Sequence, residues 1–573
     1  MNKRKQEGGI TLIALVITIV IVIILAAITI NLTLGNGSLA EKAKEGADSY
    51  KEAQEQEKDM IDNFEANIMI SEEGYNSQEG VNEPVLTEGM IPVTWNGTSW
   101  IKADATKSDW YEYKATGEIT DKVIYKQWAN VVTVKENGNN TREYYMSAAV
   151  GTAIPEDDIV GMYVWIPRYS YRITSGYHEN ANGTGNVDIK FLKGTTDNYE
   201  GGEAIRSNVT NGEEFVVHPS FTKDTSQGGS KETTGYWVAK FEASSEQTLK
   251  NNSNITNESE ESIKQGGGNT DQLEVTVRPN VTSWRNIDVI NIYKVCRNIT
   301  KEGNIQGLTN KVDPHMMKGS EWGGVAYLSQ SAYGNKQGTD PISGIWNNSY
   351  NEGIVSKVED NGNNYGGVNS YAVTLTGAVG STRDESTSFY AEQTGITGKD
   401  TDEITISYTV YAKDGTTSTL EKTYYKYNTA NGMKGSTTGN IYGIYDMSGG
   451  AWEFTADYLK EATNEYVKYF KQNVEGKYKT EHEGSGVTGS EEDRTINYNA
   501  NSKRYGNAIW ETSGGANGVV SWNGDNGNFA YLNFPFYIYG GRFSGSVDLG
   551  VFCFRSNTGK EDIGFSFRPV LSI

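Results

Sequence analysis

An uncharged, largely apolar segment from Ile10 to Ile30 constrains this chain more than any other feature of its sequence. About twenty apolar residues cross a bilayer core as a helix, the only form in which one segment satisfies its backbone polar groups there. The basic residues at positions 3–5 precede this segment and are expected to stay cytoplasmic. We therefore predict a transmembrane helix over residues 10–34 that anchors a single-pass protein in the cell membrane, with its C-terminal domain extracellular.

A cleaved secretory signal is the alternative interpretation of this segment. The apolar part of such a signal spans roughly 7–15 residues and is followed by a small-residue cleavage site. This segment is longer, and Ala26 and Ala27 are followed by further apolar residues, Ile28 and Ile30. The sequence therefore favours a retained anchor.

Two smaller units are predicted after the anchor. Ser38 and Glu41 form a capping-box pattern, and apolar residues then recur on one face, so residues 38–70 are predicted to form an amphipathic stalk helix. Residues 90–150 contain short alternating runs rich in aromatic residues, with Asn96-Gly97 as a hairpin turn. We expect a small aromatic-rich β subdomain there.

The composition limits the classes of partner and site. A net charge of −22 would repel a phosphate backbone, so no nucleic-acid partner is expected, whereas 36 Tyr and 12 Trp argue against disorder. Cys296 and Cys553 fit no metal-ligand spacing, and the sequence is compatible both with a disulfide and with two buried thiols. The histidines are scattered and support no zinc or Cys-His catalytic site: His178, His218, His315 and His482.

From about residue 155 the pattern mixes helices with short strands. Residues 162–171 have the character of a strand that Pro167 forces to an edge or a bend, and Gly235–Glu242 is a strong strand candidate. Residues 380–440 are predicted to form a hairpin insertion. Two segments are predicted to be helical: 281–299 and 316–328. This mixture predicts an α+β domain over residues 155–573.

The segment Glu7-Gly8-Gly9-Ile10-Thr11 resembles the leader of type IV prepilins. The resemblance implies a leader over residues 1–9, cleavage between Gly9 and Ile10, and a prepilin peptidase and pilus assembly machinery as partners. Family members usually carry Glu at the fifth mature position, which neutralises a neighbour's N-terminal amine. Ala14 stands there in this chain, and an unpaired buried charge is costly. The departure disfavours a bulk filament subunit and suits a tip or minor pilin, or a membrane-anchored protein.

Residues 439–454, which include Tyr445-Asp446-Met447 and Trp452-Glu453-Phe454, resemble the signature of the formylglycine-generating enzyme, or sulfatase-modifying factor, family. Three further segments resemble other parts of that family in the same order: 235–242, 315–322 and 564–570. The resemblance implies a C-type-lectin-like α+β fold. From the residues themselves we expect four buried rings, three glycine turns and one internally paired arginine: Trp237, Tyr445, Trp452, Phe454, Gly443, Gly449, Gly450 and Arg568.

The family's chemistry depends on residues that this chain has not retained. The enzyme uses a close pair of cysteines near its C-terminus, whereas only Cys553 lies in that region here, so we expect no enzyme activity. Its calcium site uses an Asn where Gly450 stands, which removes an oxygen ligand. We expect no cofactor; if calcium binds, Glu453 and the Ala451 carbonyl are its candidate ligands.

Residues 504–573 resemble the C-terminal region of variable proteins that are diversified by retroelements and use the same lectin-like fold. The resemblance implies a buried scaffold, which includes Phe536, Phe552, Phe554 and Phe567, and a displayed face. Aromatic residues and Arg mixed with small polar residues are typical of binding surfaces. The candidate ligand-facing residues are Tyr537, Tyr539, Arg542, Phe543, Ser544, Ser546, Val547, Asp548, Cys553, Arg555, Ser556, Asn557, Lys560, Glu561 and Asp562.

These expectations combine into one functional hypothesis. We expect a membrane- or pilus-anchored surface protein of the adhesin or receptor type, which binds an extracellular protein or glycan without catalysis. A minor or tip type IV pilin with a structural role, and an active oxidase of the formylglycine-generating type, are the alternatives.

Overall fold

The computed structural model describes most of the chain beyond residue 80. The described residues are 81–113, 127–179, 185–206, 212–246, 268–335, 344–350, 357–360, 363–366, 373–380, 390–411, 416–484, 489–490, 492–515, 519–543 and 549–573. The predicted leader with its Gly9–Ile10 cleavage site, the predicted transmembrane segment and the predicted stalk helix 38–70 lie outside them. Within these ranges, no helix has both the length and the apolar character needed to cross a membrane.

Strands dominate the described residues. The strands up to residue 316 are β1 (Ile91–Trp95), β2 (Trp100–Lys102), β3 (Asn130–Val134), β4 (Ile159–Pro167), β5 (Tyr169–Ser175), β6 (Asn186–Phe191), β7 (Asn198–Tyr199), β8 (Gly202–Glu203), β9 (Val216–Val217), β10 (Gly235–Ala239) and β11 (Asp313–Met316). Those that follow are β12 (Lys357–Asp360), β13 (Asn363–Gly366), β14 (Tyr390–Thr397), β15 (Glu403–Tyr411), β16 (Thr417–Tyr425), β17 (Trp452–Leu459), β18 (Thr480–His482), β19 (Val519–Val520), β20 (Asn526–Gly527), β21 (Phe536–Gly541), β22 (Leu549–Asn557), β23 (Phe565–Phe567) and β24 (Pro569–Ser572).

The helices within the described residues are few and short. They are α1 (Arg142–Ser147), α2 (Val289–Arg297), α3 (Gly319–Gln330), α4 (Glu465–Asn473) and α5 (Asp493–Asn501). Capping side chains fix where two of them begin. Asp288 accepts a hydrogen bond from the Asn291 amide at the start of α2, and Asn464 accepts one from the Val467 amide at the start of α4. The architecture is thus a mixed one of many strands and few helices, in line with the predicted mixture.

One sheet has the strand order β11-β24-β10-β4-β3-β1-β2, with antiparallel pairing throughout. All nine residues of β4 are buried, which explains its almost continuous apolar sequence, because a strand covered on both faces need not alternate. Because β4 lies between β3 and β10, Pro167 marks a bend rather than an edge. Beyond Arg168 the chain enters β5, which pairs with β6 and β9 in another sheet.

The predicted subdomain over residues 90–150 is wrong as a separate unit. Its strands β1, β2 and β3 extend the sheet that contains β4, β10 and β24, and its buried aromatic rings belong to the same hydrophobic core. The hairpin itself is confirmed: Trp95 pairs with Trp100, and Gly97 has a φ of 98°. The positive φ at this position of the turn favours glycine over other residues.

Other predictions hold only in part. The segment 281–299 forms a helix only from Val289, and the segment 316–328 begins as strand β11 before α3 starts at Gly319. The predicted hairpin insertion contains the three-stranded sheet β14-β15-β16.

The second large sheet contains β18, β17, β21, β22, β20 and β19 in that order, with β23 beside β17. Strand β21 is central: it pairs with β17 on one side and with β22 on the other. This pairing determines the surroundings of the predicted ligand-facing residues.

Candidate functional site

Five of the predicted ligand-facing residues are buried, so their side chains do not face solvent. Tyr537 and Tyr539 in β21 and Cys553 in β22 have no exposed surface, Phe543 is 5 % exposed and Ser556 is 6 % exposed. For these five residues the prediction is corrected. Alternation along a strand correctly identified which side chains share a face, but it carried no information about what covers that face.

The cover on β21 comes from elements distant in sequence. The Tyr539 ring lies 5.3 Å from the ring of Trp322 in α3, and Tyr537 contacts the rings of His482 and Trp510. On the opposite face, Phe536 packs 5.4 Å from Phe470 of α4. Burial raises the pKa of both Tyr537 and Tyr539, as expected for phenols without access to water.

The remaining described candidates form what we call the polar rim. Arg555, Lys560 and Asp562 are exposed, and Arg542, Asn557 and Glu561 are partly exposed. Cys553 and Arg555 point to the same side of β22, but Cys553 is buried and Arg555 is exposed. The buried part of this face therefore ends between these two residues. Four candidates lie outside the described residues: Ser544, Ser546, Val547 and Asp548.

Backbone contacts fix the loop of the polar rim on the start of α2. The Asp562 carbonyl accepts hydrogen bonds from the Asn286 and Phe565 amides, both at 3.0 Å, and the Gly559 carbonyl accepts one from the Val289 amide at 3.1 Å. The Asn557 side chain accepts from the Gly559 amide at 2.9 Å. These bonds hold the loop in place without using the exposed charged groups.

Arg542 and Asp562 lie next to each other at one corner of the rim. A Cβ atom built on Gly564 would be 3.3 Å from the Asp562 carboxylate and 3.4 Å from Arg542 Cδ. The Gly564 amide donates to that carboxylate at 2.8 Å. The rim therefore presents positive and negative groups side by side, which suits a polar ligand better than an apolar one.

The signature segment 439–454 supplies buried rings to the core, and its Glu453, in β17 of this sheet, belongs to a cluster of buried charged side chains. Trp237, Tyr445, Trp452 and Phe454 are buried as expected, and so are the scaffold residues Phe536, Phe552, Phe554 and Phe567. Arg568 donates to Glu453 at 2.6 and 3.0 Å, which confirms its internal pairing. Gly449 and Gly450 have φ angles of 87° and 69°, as tight turns require.

Glu242 and Asp446 complete this cluster. Burial raises the pKa of Glu242, with further contributions from Asp446 and Glu453, and Glu242 accepts a hydrogen bond from the Ala451 amide at 2.7 Å. Asp446 accepts from the Gly377 amide at 2.9 and 3.0 Å. These carboxylates hold neighbouring loops together, so the contacts support a structural role.

The cluster does not fit calcium. Arg568 occupies both carboxylate oxygens of Glu453, and Gly450 supplies no side-chain oxygen. Across the described ranges, no group of three or more His, Cys, Asp or Glu side chains is arranged to hold a metal ion.

Both cysteines are buried thiols, and no disulfide joins them. Burial raises the pKa of the Cys296 thiol, which disfavours the nucleophilic thiolate. Cys553 lies inside β22 without exposed surface. Neither thiol offers the accessible sulfur that thiol oxidation needs.

Concave surfaces occur beside the rim and elsewhere. At the start of β22, a cavity of about 20 Å³ lined by Asn347, Asn523 and Asp525 has room for about one water molecule. A shallow groove of about 730 Å³ lies between Arg142 and the loop 300–310. This groove was not predicted from the sequence; its loop contains Gly303 and Gly307, both of which have positive φ.

No protein-family model, curated protein or solved structure matches this chain.

Proposed function

We propose that this chain is a membrane- or pilus-anchored surface protein that binds an extracellular protein or glycan without catalysing a reaction. The observation that carries the proposal is the polar rim: exposed and partly exposed charged side chains at the end of β22, beside β21 and on the loop after β22, whose backbone is fixed by a buried scaffold. Binding residues are commonly held on loops that a rigid core positions. The C-type-lectin-like fold and retroelement diversification, implied by the sequence resemblances, belong to the same proposal.

Three features support binding rather than catalysis. The polar rim mixes Arg, Lys, Asn, Glu and Asp, which offers hydrogen-bond donors and acceptors to a polar ligand. The buried ionisable groups of the signature segment are engaged with one another or with backbone groups. The thiols are enclosed within secondary-structure elements.

The first experiment tests where the folded part lies. The full chain is produced in a bacterial host, and intact cells are treated with a protease that cannot enter them. Removal of the folded part from intact cells, with the N-terminal segment retained in the membrane fraction, is the expected result. Protection until the cells are lysed would contradict the proposal. Imaging of filaments that contain the chain would instead support the pilin alternative.

The second experiment tests the rim. Intact cells that display the chain are applied to arrays of glycans and of extracellular matrix proteins. The variant Arg542→Glu/Arg555→Glu reverses two rim charges and is expected to lose binding at least tenfold. The matched control Lys190→Glu/Lys193→Glu reverses two exposed charges near β6, away from the rim, and should bind as the parent does.

Two results would contradict the proposal. One is equal binding by the rim variant and the parent chain. The other is oxygen consumption by the copper-loaded chain in the presence of a thiol peptide, which would favour the oxidase alternative.

A further inference from the structure

Residues 81–88, which we call the strap, lie on the surface of the folded part just before its first strand. Each of these eight residues is exposed or partly exposed, whereas Gly89 and Met90 are buried. Strand β1 then begins at Ile91 and pairs with β2 and β3. The strap therefore connects the sequence that contains the predicted anchor to a strand that is firmly held in a sheet.

The strap is held by side chains more than by its backbone. Within the described part of the chain, no backbone-to-backbone hydrogen bond joins residues 81–88 to a strand or a helix. Val81 and Leu86 are partly buried against the core, and the Glu83 carboxylate contacts the Tyr111 hydroxyl. A segment with few buried contacts and no ladder of hydrogen bonds can open locally while the rest of the fold stays intact.

The Asn82 side chain fixes the start of the strap. Its Oδ1 accepts a hydrogen bond from the Gly194 amide at 2.8 Å. Its Nδ2 donates to three carbonyl oxygens: Leu192 at 3.0 Å, Gly194 at 3.2 Å and Thr234 at 3.2 Å. Leu192 directly follows β6 and Thr234 directly precedes β10, so one side chain ties the strap to the ends of two strands.

Val85 supplies a second fixed point. Trp237 of β10 donates its indole N–H to the Val85 carbonyl oxygen at 2.8 Å. If the strap leaves, water can reach this edge of the indole and replace the lost partner, so detachment does not strand a buried donor. Detachment is therefore a change of partner for Trp237 and not a break in the core.

The detachable part ends at Gly89. Its φ is +91°, and a Cβ atom there would lie 2.6 Å from the Gly307 carbonyl oxygen, so the backbone is in close contact with the loop 300–310. Met90 is 3 % exposed. Release beyond this point would require β1 to separate from both of its neighbours in the sheet.

We propose that the strap detaches from the folded part as a unit when tension acts on the anchor, and that Asn82 is the latch that sets the tension required. The source of the tension rests on the proposed function, because it needs a membrane or pilus anchor, whereas the latch does not. Detachment lengthens the connection to the anchor while β1 and the polar rim stay folded.

Thiol labelling measures detachment without applied force. Leu86→Cys introduces a partly buried thiol into the strap, whereas the native Cys296 and Cys553 are buried in the folded part and report its unfolding. The full chain in detergent is treated with iodoacetamide, and labelling of each thiol is followed by mass spectrometry. The introduced thiol should react faster than both native thiols. Equal rates for all three would overturn the proposal.

A second substitution in the same background tests the latch. Asn82→Ala removes the side-chain bonds of the strap and should accelerate labelling of the introduced thiol about tenfold or more, with the native thiols unchanged. The matched control Asn473→Ala removes an exposed side chain that donates to the Tyr469 carbonyl within α4, and it should leave all three rates unchanged. An unchanged rate in Asn82→Ala, or equal acceleration of all three thiols, would overturn the proposal.

Magnetic tweezers test the response to tension. The full chain in detergent is held by tags at its two ends, and a step of roughly 25–30 Å, the extended length of the strap, should precede unfolding of the folded part. Asn82→Ala should lower the force of this step alone. Absence of the step, or a shift of every step in Asn82→Ala, would overturn the proposal. The protease experiment on intact cells tests the anchor separately, so failure of the anchor and failure of the strap give different results.

Discussion

Arg568 and Glu453 form a buried bidentate ion pair that joins the start of β24 to β17. The guanidinium donates to the two carboxylate oxygens at 3.0 and 2.6 Å, and it also donates to the carbonyl oxygens of Ala239 and Tyr445. One side chain thus connects both large sheets with the signature segment. Both charges are buried, so each depends on the other to offset its desolvation.

Arg568→Met is therefore expected to lower the free energy of unfolding by about 3–5 kcal/mol, because it leaves Glu453 buried without its cation. The double variant Arg568→Met/Glu453→Leu should lose less than the single variant, since it removes both charges. Urea denaturation followed by tryptophan fluorescence measures both. The control Arg555→Met, at an exposed position, should change the unfolding free energy by no more than about 0.5 kcal/mol. A double variant less stable than Arg568→Met would contradict this account.

Substitutions of Tyr539 test whether this residue of β21 is a buried packing residue and not a ligand-facing one. Within the described residues its hydroxyl has no hydrogen-bond partner, so Tyr539→Phe should cost little or should stabilise the fold. Tyr539→Ala should cost about 3–5 kcal/mol because it opens a cavity against Trp322. The midpoint of urea denaturation is the measurement for both.

Tyr537→Phe is the matched comparison. The Tyr537 hydroxyl accepts a hydrogen bond from the Ala530 amide at 3.3 Å, so its removal leaves a buried donor and should cost about 1–3 kcal/mol. A loss of ligand binding in Tyr539→Phe, with no change in stability, would restore this residue to the binding face.

The sequence could predict what depends on local pattern. Strand β10, the turn at Asn96-Gly97 and the burial of Trp237 and Phe454 follow from alternation, turn chemistry and ring size. The internal pairing of Arg568 was also predictable, because a guanidinium inside a core needs an anion.

What the sequence could not predict depends on long-range pairing. Strand β3 pairs with β4 across about 25 residues of intervening chain, and this pairing merges the supposed subdomain with the main sheet. Tyr539 is covered by Trp322, more than 200 residues away along the chain. Side-chain periodicity identifies faces, whereas only the fold determines which faces meet.

The stability of the fold should decrease as the pH rises from about 4.5 to about 7. Burial raises the pKa of Glu511 to about 7, although the Gly506 amide and the hydroxyls of Tyr327 and Tyr171 donate to it. The folded state then retains a proton that the unfolded chain releases near pH 4.5. The stabilising contribution is complete below pH 4.5 and is lost as the pH rises to about 7, at a cost of about 3 kcal/mol.

Glu511→Gln should remove part of this pH dependence, since the amide mimics the protonated acid. Burial also raises the pKa of Glu453, although Arg568 opposes this shift, so a residual slope of the same sign is expected. Denaturation midpoints between pH 5 and pH 8 measure the slope. Glu321 is separable because nearby basic side chains lower its pKa to about 2 despite its burial, so it acts only below pH 4.5. An identical slope in parent and variant would contradict the assignment to Glu511.

The sequence resemblance to the formylglycine-generating enzyme family implies a calcium-binding Asn at the position of Gly450, and the geometry of this position does not accommodate an Asn side chain. The φ of Gly450 is +69°, and a Cβ atom there would lie 2.2 Å from Glu242 Oε1. Gly450→Asn should therefore destabilise the fold without creating a calcium site. Gly97→Ala is the control: its φ of +98° imposes similar backbone strain, but nothing lies within 4 Å of the added Cβ. Gly97→Ala should lower the free energy of unfolding by only about 1–2 kcal/mol, which is less than the loss expected for the matching substitution Gly450→Ala. Thermal unfolding with and without calcium checks both points. A rise in the melting temperature of Gly450→Asn on adding calcium would contradict this prediction, because it would show that Glu242 can move aside and that the variant binds calcium.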